Sequence, residues 1–164
     1  MLVVWQYRHA TSPASQDIQS PAALHALLRV LDQRAAADGY PHAVLLSAST
    51  RLSRLGVGVH NDGQGPQPEL TLVVGADDTP VLWWDSLPAA RRISVGPRRV
   101  SQPEPQDFFG YHSGGQQRYA PESSLVSRDD SWQAGRLFLT SGGRRPATIT
   151  WRTPSLMAAP GLRA

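Results

Sequence analysis

The sequence has no cysteine, so disulfides, Cys-based zinc sites and a thiol nucleophile are excluded, and cysteine usage says nothing about redox compartment. It has no lysine either. All 16 basic residues are arginine, which rules out a phosphate-binding loop of the G-x-x-x-x-G-K-[ST] form. Glutamate is scarce, with Glu69, Glu104 and Glu122 the only three. No apolar run is long enough to cross a bilayer as a helix. The opening MLVVWQYRH lacks the basic start and long apolar stretch of a secretion signal, so the cytoplasm is the expected location.

What is present fits one domain. The 164 residues fall in the usual single-domain range of roughly 100–200, enough to bury a core without metal or disulfide. Hydrophobic residues make up 40%, with five tryptophans, which argues against wholesale disorder. Fourteen glycines and 14 prolines predict short elements joined by many loops. The formal charge is +3. Arginine suits bidentate contacts to phosphate or carboxylate, but these arginines are scattered, whereas a nucleic-acid footprint forms a stripe or patch. A chain rich in Arg, Ala, Gly and Pro is also what GC-rich coding produces.

Residues 2–8, LVVWQYR, are β-branched and aromatic, as a strand requires, and His9 to Gln19 reads as a Ser/Pro/Asp linker. A helix follows, with Ser20 as its cap and Pro21 at its first position. Leu24, Leu27, Leu28, Leu31 and Ala35 recur at helical spacing, and Gly39 supplies the stop. Strands are predicted over 42–47, 55–60, 69–74, 80–84 and around Ile93 and Val95, with Gly75 to Thr79 as a hairpin connection. Val81–Trp84, VLWW, has no polar face, so it should be a central strand or one beneath a helix. Phe108 to Tyr119 forms an aromatic strand and turn, and Pro121 to Arg128 leads into a second helix. Ser127 caps that helix, with Asp129 and Asp130 at the positive end of its dipole. Ala134, Leu137, Phe138 and Leu139 face inward, and Gly142 ends it. Ala147, Ile149 and Trp151 then alternate with polar residues as a strand of period two. Long runs of consecutive strands point to an α+β fold, a mostly antiparallel sheet packed against two main helices. The domain is expected over residues 1–152, with 153–164 as a tail.

No catalytic set emerges. His9, His25, His42, His60 and His112 fall in no H-x-x-x-H or H-x-E pattern, and no serine sits in G-x-S-x-G. Gly56 and Gly58 lack the third glycine and following helix of a dinucleotide fingerprint. Turn chemistry accounts for Asp77 and Asp78, and helix-start electrostatics for Asp129 and Asp130. Asp85 ends a strand, where it is placed to meet a partner. The chain reads as a non-enzyme with no metal and no cofactor. Two other readings compete. Arg91, Arg92, Arg98 and Arg99 with nearby aromatics would suit an Arg-rich nucleic-acid-binding module. His112 with Asp107 or a neighbouring serine would suit a hydrolase.

Phe138-Leu139-Thr140-Ser141-Gly142, then Arg144-Arg145-Pro146, then Ile149-Thr150-Trp151 resembles the C-terminal signature of the immunity protein 1 family of bacterial polymorphic toxin systems. There a helix ends in an F-L-x-x-G-x-x-P-type turn followed by a short strand carrying Trp. The order of the Leu70–Val74 and Val81–Trp84 strands and the FFGY segment is similar too, so the resemblance runs from about Glu69 to Trp151. Two departures stand out. Arg136 and Leu137 occupy positions where the family often has an acidic residue, and the Gly142–Gly143 turn holds one residue more.

The resemblance implies a non-catalytic inhibitor, an antitoxin that binds a cognate toxin domain inside the producing cell. Such toxins are often nucleic-acid deaminases or nucleases. A chain of charge +3 is a poor DNA mimic, so occlusion of the toxin's active-site mouth by an aromatic and acidic patch is the better mode. The residues expected to bind the partner are Asp77, Asp78, Trp84, Asp85, Glu104, Asp107, Phe109, Tyr111 and His112. No direct contact with nucleic acid or membrane is expected. Within the signature itself, Phe138, Ile149 and Trp151 are assigned to the core, and Arg144 and Arg145 are its exposed candidates.

Overall fold

A computed structural model describes residues 2–9, 12–49, 68–86, 89–97 and 107–154. The expected strand over 55–60, Arg98, Arg99, Glu104 and most of the 153–164 tail lie outside these. In chain order the elements are β1 (Leu2–His9), β2 (Ser12–Ile18), α1 (Pro21–Asp38), β3 (His42–Ser49), β4 (Glu69–Val74), β5 (Asp78–Pro80), β6 (Leu82–Ser86), β7 (Ala89–Ser94), β8 (Phe108–Ser113), β9 (Gln116–Pro121), β10 (Leu125–Ser127), α2 (Arg128–Ser141) and β11 (Trp151–Arg152). The main sheet runs β11-β7-β6-β4-β3-β1-β2 with antiparallel neighbours throughout. The β8–β9 hairpin joins it through one parallel bridge, His42 to His112. This is the α+β architecture, a curled and mostly antiparallel sheet with two helices.

The period-two pattern sorts the sheet residues onto two faces. Register pairs Val44 with Leu72 and Leu46 with Leu70, and these four are buried with Leu24, Leu28, Leu31 and Ala35 of α1 and Ala134, Phe138 and Leu139 of α2. Gly135 faces this core, whereas Leu137 is only half-buried. A Cβ on Gly135 would lie 2.8 Å from Leu72, so its absence lets α2 lie close on β4. On the opposite face Val73 and Ile93 are buried with Tyr111 and Ala120, and with Phe109, Leu82 and Ala43 packed alongside. The helices cover one face, and the β8–β9 hairpin packs against the other.

Both helices begin and end as their sequences require. The Ser20 hydroxyl accepts from the Ala23 N–H, and the Ser127 hydroxyl from the Asp130 N–H at 3.1 Å. Gly39 ends α1 with φ 75°, and the Tyr40 N–H reaches the Ala35 carbonyl. Gly142 and Gly143 follow α2 with φ 83° and 85°, and the Gly143 N–H bonds the Phe138 carbonyl at 2.9 Å. The additional glycine has a packing reason. A Cβ on Gly143 would come within 2.6 Å of the Ala48 side chain, so the turn is seated on β3.

Four expectations need correction. The polar segment from His9 to Gln19 is not a linker: Ser12–Ile18 is β2, paired with β1 along its length. Its polar content and Pro13 suit an edge strand, which β2 is. Gly75 to Thr79 does connect the antiparallel pair β4 and β6, but not as a simple turn, because Asp78–Pro80 pairs with Leu125–Ser127 as a separate ribbon. The approach to α2 is thus a short 3-10 turn, Glu122–Ser124, followed by a strand. Finally, only Trp151 and Arg152 of the last stretch pair, with Ser94 and Ile93. The Trp151 indole N–H turns back to the Pro146 carbonyl at 2.8 Å, closing residues 146–151 into a local loop. Trp151 itself is half-buried against the core.

Candidate functional site

The sheet register defines two ends. His42 pairs with Val74 at one, and Ser47 with Glu69 at the other, where Glu69 also faces Trp84. The first end gathers Asp77, Asp78 and His112. Gly75, with φ 96°, turns the chain out of β4 against the Tyr40–Pro41 backbone. The Gly75 N–H donates to Asp32 of α1 at 2.7 Å. Arg128, the first residue of α2, ties three segments together. Its N–H donates to the Asp77 carbonyl, and its guanidinium lies 2.8 Å from the Asp77 carboxylate and 3.5 Å from that of Asp32. The Asp77 side chain is 94% exposed despite that bond, and Asp78 is exposed beside it.

Beside the Pro41 turn sits a cluster of rings. The His112 N–H donates to the Pro41 carbonyl. The imidazole stacks on Tyr40 at 5.2 Å between centroids and meets His42 edge-on at 5.9 Å. Tyr40 is 56% exposed, among the most open large apolar side chains described. His42, by contrast, is buried, with its Nε2 3.5 Å from Asp38. Tyr111 is buried in the second core, where burial pushes its phenol pKa up while Arg118 opposes the shift. Phe109 packs there as well, and Asp107, just before β8, is half-buried. Glu104 lies outside the described residues.

Trp84 and Asp85 belong to the second end. Trp84 stands opposite Glu69, half-buried, with no hydrogen-bond partner for its indole N–H. Burial raises the Glu69 carboxyl above its ordinary value. Trp83 and Asp85 point to the helix face. There an open groove of about 440 Å³ is lined by Pro68, Trp83, Asp85, Arg92, the two glycines after α2, Arg144 and Arg145. The Arg145 guanidinium lies over the Trp83 ring, 5.5 Å from its centroid. The expected site residues are therefore divided between two ends of the sheet.

Among the described residues no group of three or more His, Asp or Glu side chains is placed to hold a metal ion. No described helix is long and apolar enough to cross a membrane. The family model for immunity protein Imm1 matches residues 13–153. The chain belongs to the Imm1 immunity protein family. A comparison with curated proteins finds no matching sequence.

The Imm1 match extends from β2 to just past β11, so it takes in both ends of the sheet and the whole of each helix. Membership carries an immunity role and, with it, a toxin as binding partner. In this Imm1 protein Tyr40 was not foreseen as part of a site, and of the groove only Arg144 and Arg145 were named, as exposed candidates. Tyr40 reads in sequence as the residue between a helix stop and a proline. Its stacking partner arrives from β8, more than 70 positions later.

Proposed function

We propose that this immunity protein neutralises a nucleic-acid-targeting toxin, with a deaminase as the leading case, by covering the mouth of its active site. The surface that does so is the end of the sheet carrying Tyr40, His112, Asp77 and Asp78. The observation that carries this reading is the exposed Tyr40 ring, braced by His112 at the same end as two solvent-facing carboxylates. Aromatic anchors dominate tight interfaces, and acidic groups around them suit the basic cleft of an enzyme that binds nucleic acid. Tyr111 and Phe109 support this surface from the second core. Trp84 and Asp85 lie at the other end, outside its reach.

The test uses the toxin domain encoded beside this chain. Stoichiometric addition of the purified protein is expected to abolish toxin activity on single-stranded DNA or RNA. Tyr40→Ala with Asp78→Lys should weaken binding by about 100-fold or more, because such anchors often carry over 2 kcal/mol. Absence of binding at about micromolar concentration, a Kd weaker than roughly −8 kcal/mol, would sink the reading. Inhibition of a toxin that hydrolyses protein or lipid would overturn the nucleic-acid assignment alone.

A further inference from the structure

We infer that the groove at the opposite end of the sheet is a second docking site, which takes an acidic segment of the toxin polypeptide. The inference rests on the chain acting by binding a toxin, and adds where and with what chemistry a second contact is made.

The groove is built to hold carboxylates. Three guanidinium groups, of Arg92, Arg144 and Arg145, stand in its wall against one carboxylate, Asp85. Arg92 is pre-positioned, since its Nη1 donates to the Arg91 carbonyl at 3.0 Å and to the Thr153 hydroxyl at 3.3 Å. The Arg145 guanidinium sits over Trp83, 5.5 Å from the ring centroid, and such a contact through the π face leaves N–H donors for a carboxylate. Arg144 is exposed next to it. The two residues project from a turn with little freedom, for Gly143 is bonded to Phe138 and seated against Ala48. Planar guanidinium groups fixed in this way recognise carboxylates through paired N–H···O bonds and lose little entropy in doing so.

A polypeptide fits better than a nucleic-acid strand. A strand-binding track carries continuous positive charge with several stacking platforms, whereas here Asp85 interrupts the wall and a single indole, Trp83, is covered by Arg145. The volume is within the range of roughly 300–1,000 Å³ typical of clefts for small ligands, room for a short run of side chains. Because this groove is basic, the toxin segment it binds is not the rim of a basic substrate cleft. The toxin would be held at two points of opposite charge.

The experiment measures binding of the full-length protein to the toxin domain encoded beside it, by calorimetry at low and high salt. Arg144→Glu with Arg145→Glu is expected to weaken binding by about 100-fold, with a shallower salt dependence and an unchanged melting temperature. A photo-crosslinking residue at position 144 is expected to capture a toxin peptide rich in Asp and Glu. Wild-type affinity in the double variant, or a crosslink into the toxin's basic cleft, overturns the groove and leaves the neutralising role standing. A labelled single-stranded oligonucleotide that binds the wild type and not the variant also overturns it, in favour of a nucleic-acid site. Failure of the wild type to bind the toxin removes both readings.

Discussion

The two ends of the sheet differ in what their charges do. At the Tyr40 end the carboxylates belong to the framework: Asp32 and Asp77 bond Arg128 and the β4–β5 turn, and Asp129 and Asp130 lie in the first turn of α2. At the groove end Arg144 and Arg145 follow the last turn of α2 and project from a glycine-built turn. Asp129 and Asp130 are favourable where they stand, at the positive end of α2, and Arg144 and Arg145 lie beyond its negative end. The lesson is that the charges at the acidic end join helix to helix and strand through one arginine, whereas at the groove end Arg144 and Arg145 are left pointing outward.

The strongest way to break this comparison is to remove what the two ends share. Phe138 is fully buried in the core and accepts the Gly143 N–H. Phe138→Ala is expected to cost about 3–5 kcal/mol in denaturant unfolding, and to abolish binding through loss of the fold. Next comes the turn behind the groove. Gly143→Ala combines a left-handed backbone with a 2.6 Å clash, whereas Gly39→Ala meets only the backbone restriction, with nothing within 4 Å. The first should cost about 2–3 kcal/mol and the second about 1 kcal/mol, read from urea midpoints. Equal losses would mean that the turn is not seated on Ala48.

At the acidic end Arg128→Ala should cost about 1 kcal/mol or less, with the difference shrinking at high salt, because its ion pairs are partly exposed. Glu69 gives the smallest effect. Its folded-state pKa is raised above the model-compound value of 4.5, so its protonated form favours folding, and that contribution is lost as pH rises through the elevated pKa. Glu69→Gln is expected to raise the melting temperature slightly near neutral pH and to leave it unchanged at about pH 3. A destabilised variant near neutral pH would contradict the burial argument.

Both helices were legible in the sequence because their signals are local. Ser20, Pro21 and Gly39, and likewise Ser127 and Gly142, act within a few residues of where they stand. The buried face of β4, Leu70, Leu72 and Val74, followed from alternation alone, whereas in β3 the run Val44–Leu46 hid which residues face the helices. β2 was not legible, since an edge strand tolerates the serines and proline that otherwise mark a loop. The β5–β10 ribbon was missed because it pairs Thr79 with Val126, and no short-range signal announces such a partner. The site divides in the same manner. Asp77, Asp78 and His112 were singled out one at a time, but their shared end depends on the contact between Gly75 and the Tyr40–Pro41 turn. Arg144 and Arg145 were recognised as exposed. Their neighbours Trp83 and Arg92 come beside them only when the turn after α2 is seated on Ala48 of β3.

Ser94, Val95 and Gly96 gather three segments, one from the start of β6 and two from much later in the chain. Their N–H groups bond the carbonyls of Val81, Thr150 and Ser123, and the Ser94 hydroxyl accepts from the Val81 N–H while donating to the Ser124 carbonyl. The Val81 bonds extend the β6–β7 hairpin, but those to Thr150, Ser123 and Ser124 join segments far apart in sequence, and each closes a loop whose entropy must be lost first. This knot is therefore a late event on the folding route and an early one on the way out. Ser94→Ala should raise the unfolding rate and leave the folding rate nearly unchanged in a stopped-flow chevron. On this reading the lifetime of the folded protein, and with it the duration of protection from one molecule, is set by three consecutive residues that line neither binding surface.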